Sequence, residues 1–113
     1  MKAKILIVDD DPDIVTMLED RLQASDYRTV IAQDGVQALE LVEQEAPGLM
    51  LLDLDMPRLT GIEVLKRLPK VRPTEDLPVI VMTAHASIDA AVEAMKTGAY
   101  DFLTKPLDND HLL

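Results

Sequence analysis

Cysteine and tryptophan are absent from the 113 residues, and the aromatic complement is only Tyr27, Tyr100 and Phe102. Without cysteine there is no disulfide framework and no thiolate metal site, which is compatible with an intracellular setting. A core with so few rings has to be assembled from Leu, Ile, Val, Met and Ala, which favours helices packed on a sheet. Basic residues are scarce: 11 Lys and Arg stand against 21 Asp and Glu, for a formal charge of -10. That balance opposes binding to DNA, RNA or an anionic membrane by this segment. Long hydrophobic runs are missing too. Ile5 to Val8, after the basic start, is too short for the apolar region of a signal peptide, and nothing approaches the roughly 20 apolar residues of a bilayer span. The expectation is a soluble cytoplasmic domain, and a single one, because a chain of this length supports one core.

What the chain does contain is an alternation. Runs rich in branched aliphatics at Lys4 to Val8, Arg28 to Ala32, Leu49 to Leu52, Val79 to Met82 and Tyr100 to Thr104 read as strands. Helical spacing lies between them. Ile14, Val15, Leu18 and Leu22 share a face after Pro12, a residue suited to a helix start. A second helix is expected over Val36 to Glu45, ended by Pro47-Gly48, and a third from about Gly61 that stops before Pro69. Ser87 is a good cap for a fourth, with Ile88, Ala91, Val92 and Met95 as its apolar face until Gly98. The final "LDNDHLL" reads as a fifth helix cut short. The stretch from Pro69 to Pro78 reads as a loop. Strand and helix in alternation imply an α/β fold: a doubly wound, five-stranded parallel sheet of flavodoxin-like order 2-1-3-4-5.

Ligand sites in such sheets lie beyond the carboxyl ends of the strands. Asp9, Asp10 and Asp11 follow the first strand, Asp53 ends the third, Thr83 follows the fourth and Lys105 the fifth. Any one of these alone would ordinarily be a turn, cap or surface residue. Their joint placement at four strand ends points to chemistry instead. Two unit charges about 4 Å apart repel by about 4 kcal/mol at an effective dielectric constant of about 20. A cluster of Asp9, Asp10 and Asp53 therefore shares protons or takes a cation, and with no His or Cys in the set the fitting ion is hard: Mg2+, or Mn2+ in its place. A carboxylate, a divalent ion, an ammonium and a hydroxyl are the parts of a phosphoryl transfer onto oxygen, with the central Asp53 as nucleophile.

The segments "ILIVDDDPD", "LLDLDMPRLTG", "VIVMTAHA" and "GAYDFLTKP" together resemble the receiver domain of two-component response regulators, over essentially residues 3 to 113. The resemblance implies that Asp53 is the phosphoacceptor. Asp9 and Asp10 match the acidic pair for Mg2+, a ligand set completed by Asp53 and the backbone carbonyl of Asp55. Thr83 matches the hydroxyl that turns toward the phosphoryl oxygens, and Lys105 the cation that pairs with aspartate or phosphate, aimed inward by a cis bond to Pro106. Phe102 sits at the switch-aromatic position, where a ring turning inward would alter the surface of the fourth helix, fifth strand and fifth helix. Tyr100 reads first as packing or interface. A small Ala84 would leave the phosphate accessible. Asp55 and His85 occupy the positions that tune hydrolysis, although His85 by itself is also an ordinary loop residue. His111 receives no role.

A sensor histidine kinase is the implied phosphodonor, a homodimer through that same surface is an expected partner, and neither nucleic acid nor membrane is. The stretch from Thr83 to Pro106 is most similar to receivers of transcriptional activators working with sigma-54. That similarity implies that residues 1 to 113 form the N-terminal part of a longer protein with a C-terminal output domain. Beyond phosphoryl transfer to itself and slow hydrolysis, no enzyme activity is expected. The alternative is a haloacid-dehalogenase-like phosphatase using Asp53 as nucleophile and Asp55 as acid and base. It requires the opposite order of motifs along the chain. An FMN carrier of flavodoxin type is disfavoured by three aspartates where a phosphate should sit.

Overall fold

The computed structural model describes residues 3–56, 59–71, 76–83 and 88–105. Five strands, β1 (Lys4–Val8), β2 (Arg28–Ala32), β3 (Leu49–Asp53), β4 (Val79–Thr83) and β5 (Asp101–Thr104), form one sheet of order β2-β1-β3-β4-β5. Every neighbouring pair is parallel. Helices α1 (Pro12–Ala24), α2 (Gly35–Glu45), α3 (Gly61–Val71) and α4 (Ile88–Thr97) make the crossovers. The α/β class and the strand order agree with expectation. The expected fifth helix, including His111, falls on residues outside the described ones.

Side chains alternate across the sheet, as a pleated strand demands. Leu6, Val8, Met50, Leu52, Val79 and Val81 point to one face and bury against Ala38, Val42, Val64, Leu65, Leu68 and Ala94 of α2, α3 and α4. Ile5, Ile7, Leu51 and Met82 point to the other and meet Val15, Leu18 and Leu22 of α1. With both faces covered, the central strands read as unbroken apolar runs.

Local signals at the helix starts explain why the chain turns where it does. Asp11 caps α1, its carboxylate accepting from the Asp13 N–H at 2.9 Å, with Pro12 in the first turn. Asp34 caps α2 through the Gln37 N–H at 2.8 Å. Thr60 and Glu63 make a reciprocal capping box at α3: the Glu63 N–H donates to Thr60 Oγ1 at 3.3 Å and the Thr60 N–H to Glu63 Oε1 at 3.2 Å.

Five boundaries and one helix face differ from expectation. Helix α3 runs through Pro69 to Val71, so these residues are helix where a loop was expected; a proline in the last turn removes one backbone bond, and the buried Leu68 already anchors that turn. Helix α4 buries Ala91 and Ala94, leaving Val92 and Met95 44% and 41% exposed. Small alanines let the helix lie close to the sheet, so its buried face is set by size. Helix α2 starts one residue early, at Gly35. Strands β3 and β4 extend to Asp53 and Thr83, while β5 begins at Asp101 and leaves Tyr100 outside it. The proposed cap Ser87 lies outside the described residues.

Candidate functional site

At the carboxyl edge of the sheet, Asp9 and Asp53 leave adjacent strands and are almost wholly buried, at 1% and 3% exposure. Each closes a tight turn on itself. Asp9 Oδ1 accepts the N–H of Asp11 at 2.9 Å, and Asp53 Oδ1 accepts the N–H of Asp55 at 3.0 Å. Such side-chain turns fix the carboxylates before any ligand arrives. The close packing behind them requires Gly61, where a Cβ would stand 2.7 Å from the Asp53 carbonyl oxygen and 2.8 Å from Leu54 Cα.

Lys105 follows β5, and its backbone N–H donates to the Thr83 carbonyl at 2.8 Å. Its ammonium lies 2.9 Å from Asp9 Oδ2 and 3.4 Å from Asp53 Oδ1. Thr83, 3% exposed at the end of β4, donates its hydroxyl proton to Asp55 Oδ2 at 3.4 Å. Asp55 itself is exposed. Asp9, Asp10 and Asp53 each offer an oxygen within 4.8 Å of the others. An open recess lined by Pro12, Thr16, Gln33 and Asp34 gives Asp9 and Asp10 a route to solvent.

The electrostatics of this corner are unbalanced. Burial pushes the Asp53 carboxyl above its usual range, and the neighbouring Asp9 adds to the rise, against the Asp55 N–H and the Lys105 charge. For Lys105, burial works downward but is outweighed by its hydrogen bond to Asp9 and by the charges of Asp53 and Asp9, so the ammonium is held above its ordinary value. Among the described residues one cation, Lys105, faces two buried carboxylates and the exposed Asp10. The surplus is negative, and the donors are all hard oxygens, which fits Mg2+ or Mn2+.

The structure thus brings Asp9, Asp10, Asp53, Asp55, Thr83 and Lys105 to one corner. It keeps Asp11 out of the cluster, as the cap of α1. Phe102 is 42% exposed on β5, with Tyr100 beside it at 70%. Ala84, His85 and Pro106 lie outside the described residues. Sequence reasoning missed two contacts: the ion pair of Lys105 with Asp9, and the bond from Thr83 to Asp55. The Asp-x-Asp spacing of residues 53 and 55 was a usable signal for the turn that makes the second one reachable.

Comparison with known proteins agrees with this geometry. The chain matches the family described as response regulator receiver domain over residues 5–113. It is 46% identical over 111 residues to the transcriptional regulatory protein ZraR of Klebsiella oxytoca, covering 98% of this chain and 25% of that protein. Among solved structures it is similar to NtrX from Brucella abortus, with a TM-score of 0.90 at 38% identity, covering 99% of this chain and 25% of that one. A CheY-like receiver domain protein from Methanospirillum hungatei JF-1 has a TM-score of 0.90 at 31% identity, covering 99% and 88%. The chain therefore spans about a quarter of the length of ZraR and NtrX. With the strand order, the rim of carboxylates and the family match in agreement, the chain belongs to the response regulator receiver domains of two-component systems.

Proposed function

We propose that the domain accepts a phosphoryl group on Asp53 from the phosphohistidine of a sensor kinase and switches its surface in response. The observation that carries this reading is the buried Asp53 carboxylate, preset by the Asp55 N–H and flanked by the Lys105 ammonium at 3.4 Å. In the transfer, an Asp53 oxygen forms the new O–P bond as the P–N bond to imidazole breaks, and the imidazole keeps the electron pair. Lys105 offsets charge on the phosphoryl oxygens, and Thr83 donates its hydroxyl proton to one of them. Mg2+, or Mn2+ in its place, held by Asp9, Asp10, Asp53 and the Asp55 carbonyl, supplies further charge neutralisation when bound. Ala84 and His85, beside Thr83 in sequence, and Asp55 tune hydrolysis of the adduct in this reading.

The output follows from β5. The Lys105 N–H to Thr83 carbonyl bond and the pairing of Val81 with Phe102 tie the end of β4 to the strand that carries the aromatic. A turn of Phe102 would remodel the apolar surface of Val92, Met95, Tyr100 and Phe102. That surface is proposed to pair with a second copy or to contact a C-terminal output domain of transcriptional kind, of the sigma-54 activator class, in a longer cytoplasmic protein. The name of ZraR as a transcriptional regulator supports the transcriptional part. The phosphatase alternative gains no support from the family match, and Asp55 faces the Thr83 hydroxyl as an acceptor. Direct nucleic-acid or membrane contact is not proposed for this domain. No described helix is long and apolar enough to cross a membrane.

The test is intact mass after incubation with Mg2+ and acetyl phosphate. The wild type is expected to gain a single phosphoryl mass and Asp53→Asn none. An adduct that survives in Asp53→Asn, or none in the wild type, would overturn the assignment.

A further inference from the structure

We infer that the Asp55 carboxylate is a positioning residue that holds the Thr83 hydroxyl off the phosphoryl site in the resting protein, an inference that rests on the proposed function. Asp55 faces two ways. Its N–H is bound to Asp53 Oδ1 at 3.0 Å, and its side chain reaches across to β4, where Oδ2 accepts from Thr83 Oγ1 at 3.4 Å. The anchor on Asp53 fixes the backbone of Asp55, which brings its carboxylate within reach of Thr83.

A hydroxyl has one proton to donate. A phosphoryl oxygen on Asp53 would need that same proton, so engagement of Thr83 with the phosphoryl group breaks its bond to Asp55. The charge of Asp55 acts in the same direction, because a carboxylate beside a phosphoryl group raises the energy of the phosphorylated arrangement. Both effects weight the equilibrium toward rest. The separation of 3.4 Å is long for an O–H···O bond. The hold is therefore weak, as a switch that must release requires. Losing it should change the population of the engaged conformation by about three- to tenfold, the scale of one modest hydrogen bond. An asparagine in its place keeps an acceptor oxygen but loses the charge assistance, and should fall between aspartate and alanine.

The experiment is a double-mutant cycle on initial rates of phosphorylation by acetyl phosphate with Mg2+, read by intact mass for the wild type, Asp55→Asn, Asp55→Ala, Thr83→Ala and Asp55→Ala/Thr83→Ala. Asp55→Ala is expected to raise the rate about three- to tenfold when Thr83 is present and to have a much smaller effect in the Thr83→Ala background. The Thr83 methyl resonance of the unphosphorylated Asp55→Ala protein should move toward its position in the phosphorylated wild type, and Asp55→Asn should lie between. Equal gains in both backgrounds would show that Asp55 acts only by repelling the donor. That result, or a Thr83 methyl that stays in place in both Asp55 variants, would overturn the inference alone. A wild type that takes no phosphoryl group would overturn the proposed function and this inference with it.

Discussion

Lys105 stands between two buried carboxylates, and their repulsion is held in check by its charge. Removing one partner of a buried charge group leaves the others uncompensated. Lys105→Met is expected to cost about 2–4 kcal/mol in metal-free buffer, read from urea unfolding, with a smaller loss at saturating Mg2+ because an ion that binds only the folded state stabilises it. A loss independent of Mg2+ would contradict the charge argument. Asp53→Asn should act oppositely, stabilising the metal-free protein by about 1 kcal/mol at neutral pH. The sign follows from linkage. Burial holds the folded carboxyl above the unfolded value of 3.8, so the wild type is penalised once the pH exceeds the folded value and is relieved as the pH falls back toward 3.8. The advantage of Asp53→Asn should therefore shrink as the medium is acidified, which thermal melts across an acid series would record.

At the scale of elements, strain collects where helices end. Ala46 closes α2 in the left-handed region with φ 46°. Glycine adopts that conformation without a Cβ clash, so Ala46→Gly is expected to stabilise the domain by about 0.5–1 kcal/mol in urea titrations. Gly61→Ala should do the reverse. With a Cβ 2.7 Å from the Asp53 carbonyl oxygen, α3 must retreat or the Asp53 turn must shift, at a cost of about 2 kcal/mol and, on the proposed function, with slower phosphorylation by acetyl phosphate. Most elements were legible in sequence because strands and helices differ in hydrophobic period: Lys4–Val8 and Arg28–Ala32 were placed to the residue. Two features were not. Pro69 reads as a stop, yet in the last turn it costs a single backbone bond, which the packing of the buried Leu68 offsets. The face of α4, read from helical spacing as Ile88, Ala91, Val92 and Met95, was right for Ala91, but Ala94 is buried while Val92 and Met95 are exposed.

For the whole molecule, charge and size set a further expectation. The domain measures 32 × 30 × 24 Å and carries a formal charge of -10. At about 0.01 M salt the Debye length is about 30 Å, so acidic groups repel across the entire body, whereas at about 0.15 M it is about 8 Å. The urea midpoint of the metal-free protein should rise with sodium chloride over that range, by the equivalent of about 1 kcal/mol, as self-repulsion is screened. A flat response would mean that the acidic surface is already neutralised locally. The candidate site was legible at this scale because fold order alone sends Asp9, Asp53, Thr83 and Lys105 to one edge. Which oxygen meets which donor was not. Those pairings depend on side-chain torsions inside the turns after β1 and β3, and no periodicity encodes them.

The bond from Lys105 to Asp9 spans 96 positions of chain. A ribosome therefore has to deliver the chain through Lys105 before the proposed phosphoryl site can form, and no fragment that ends earlier contains both halves of it. On the proposed function, a newly made molecule would be deaf to a kinase until it has folded, so that a message could be handed only to a protein already able to act on it.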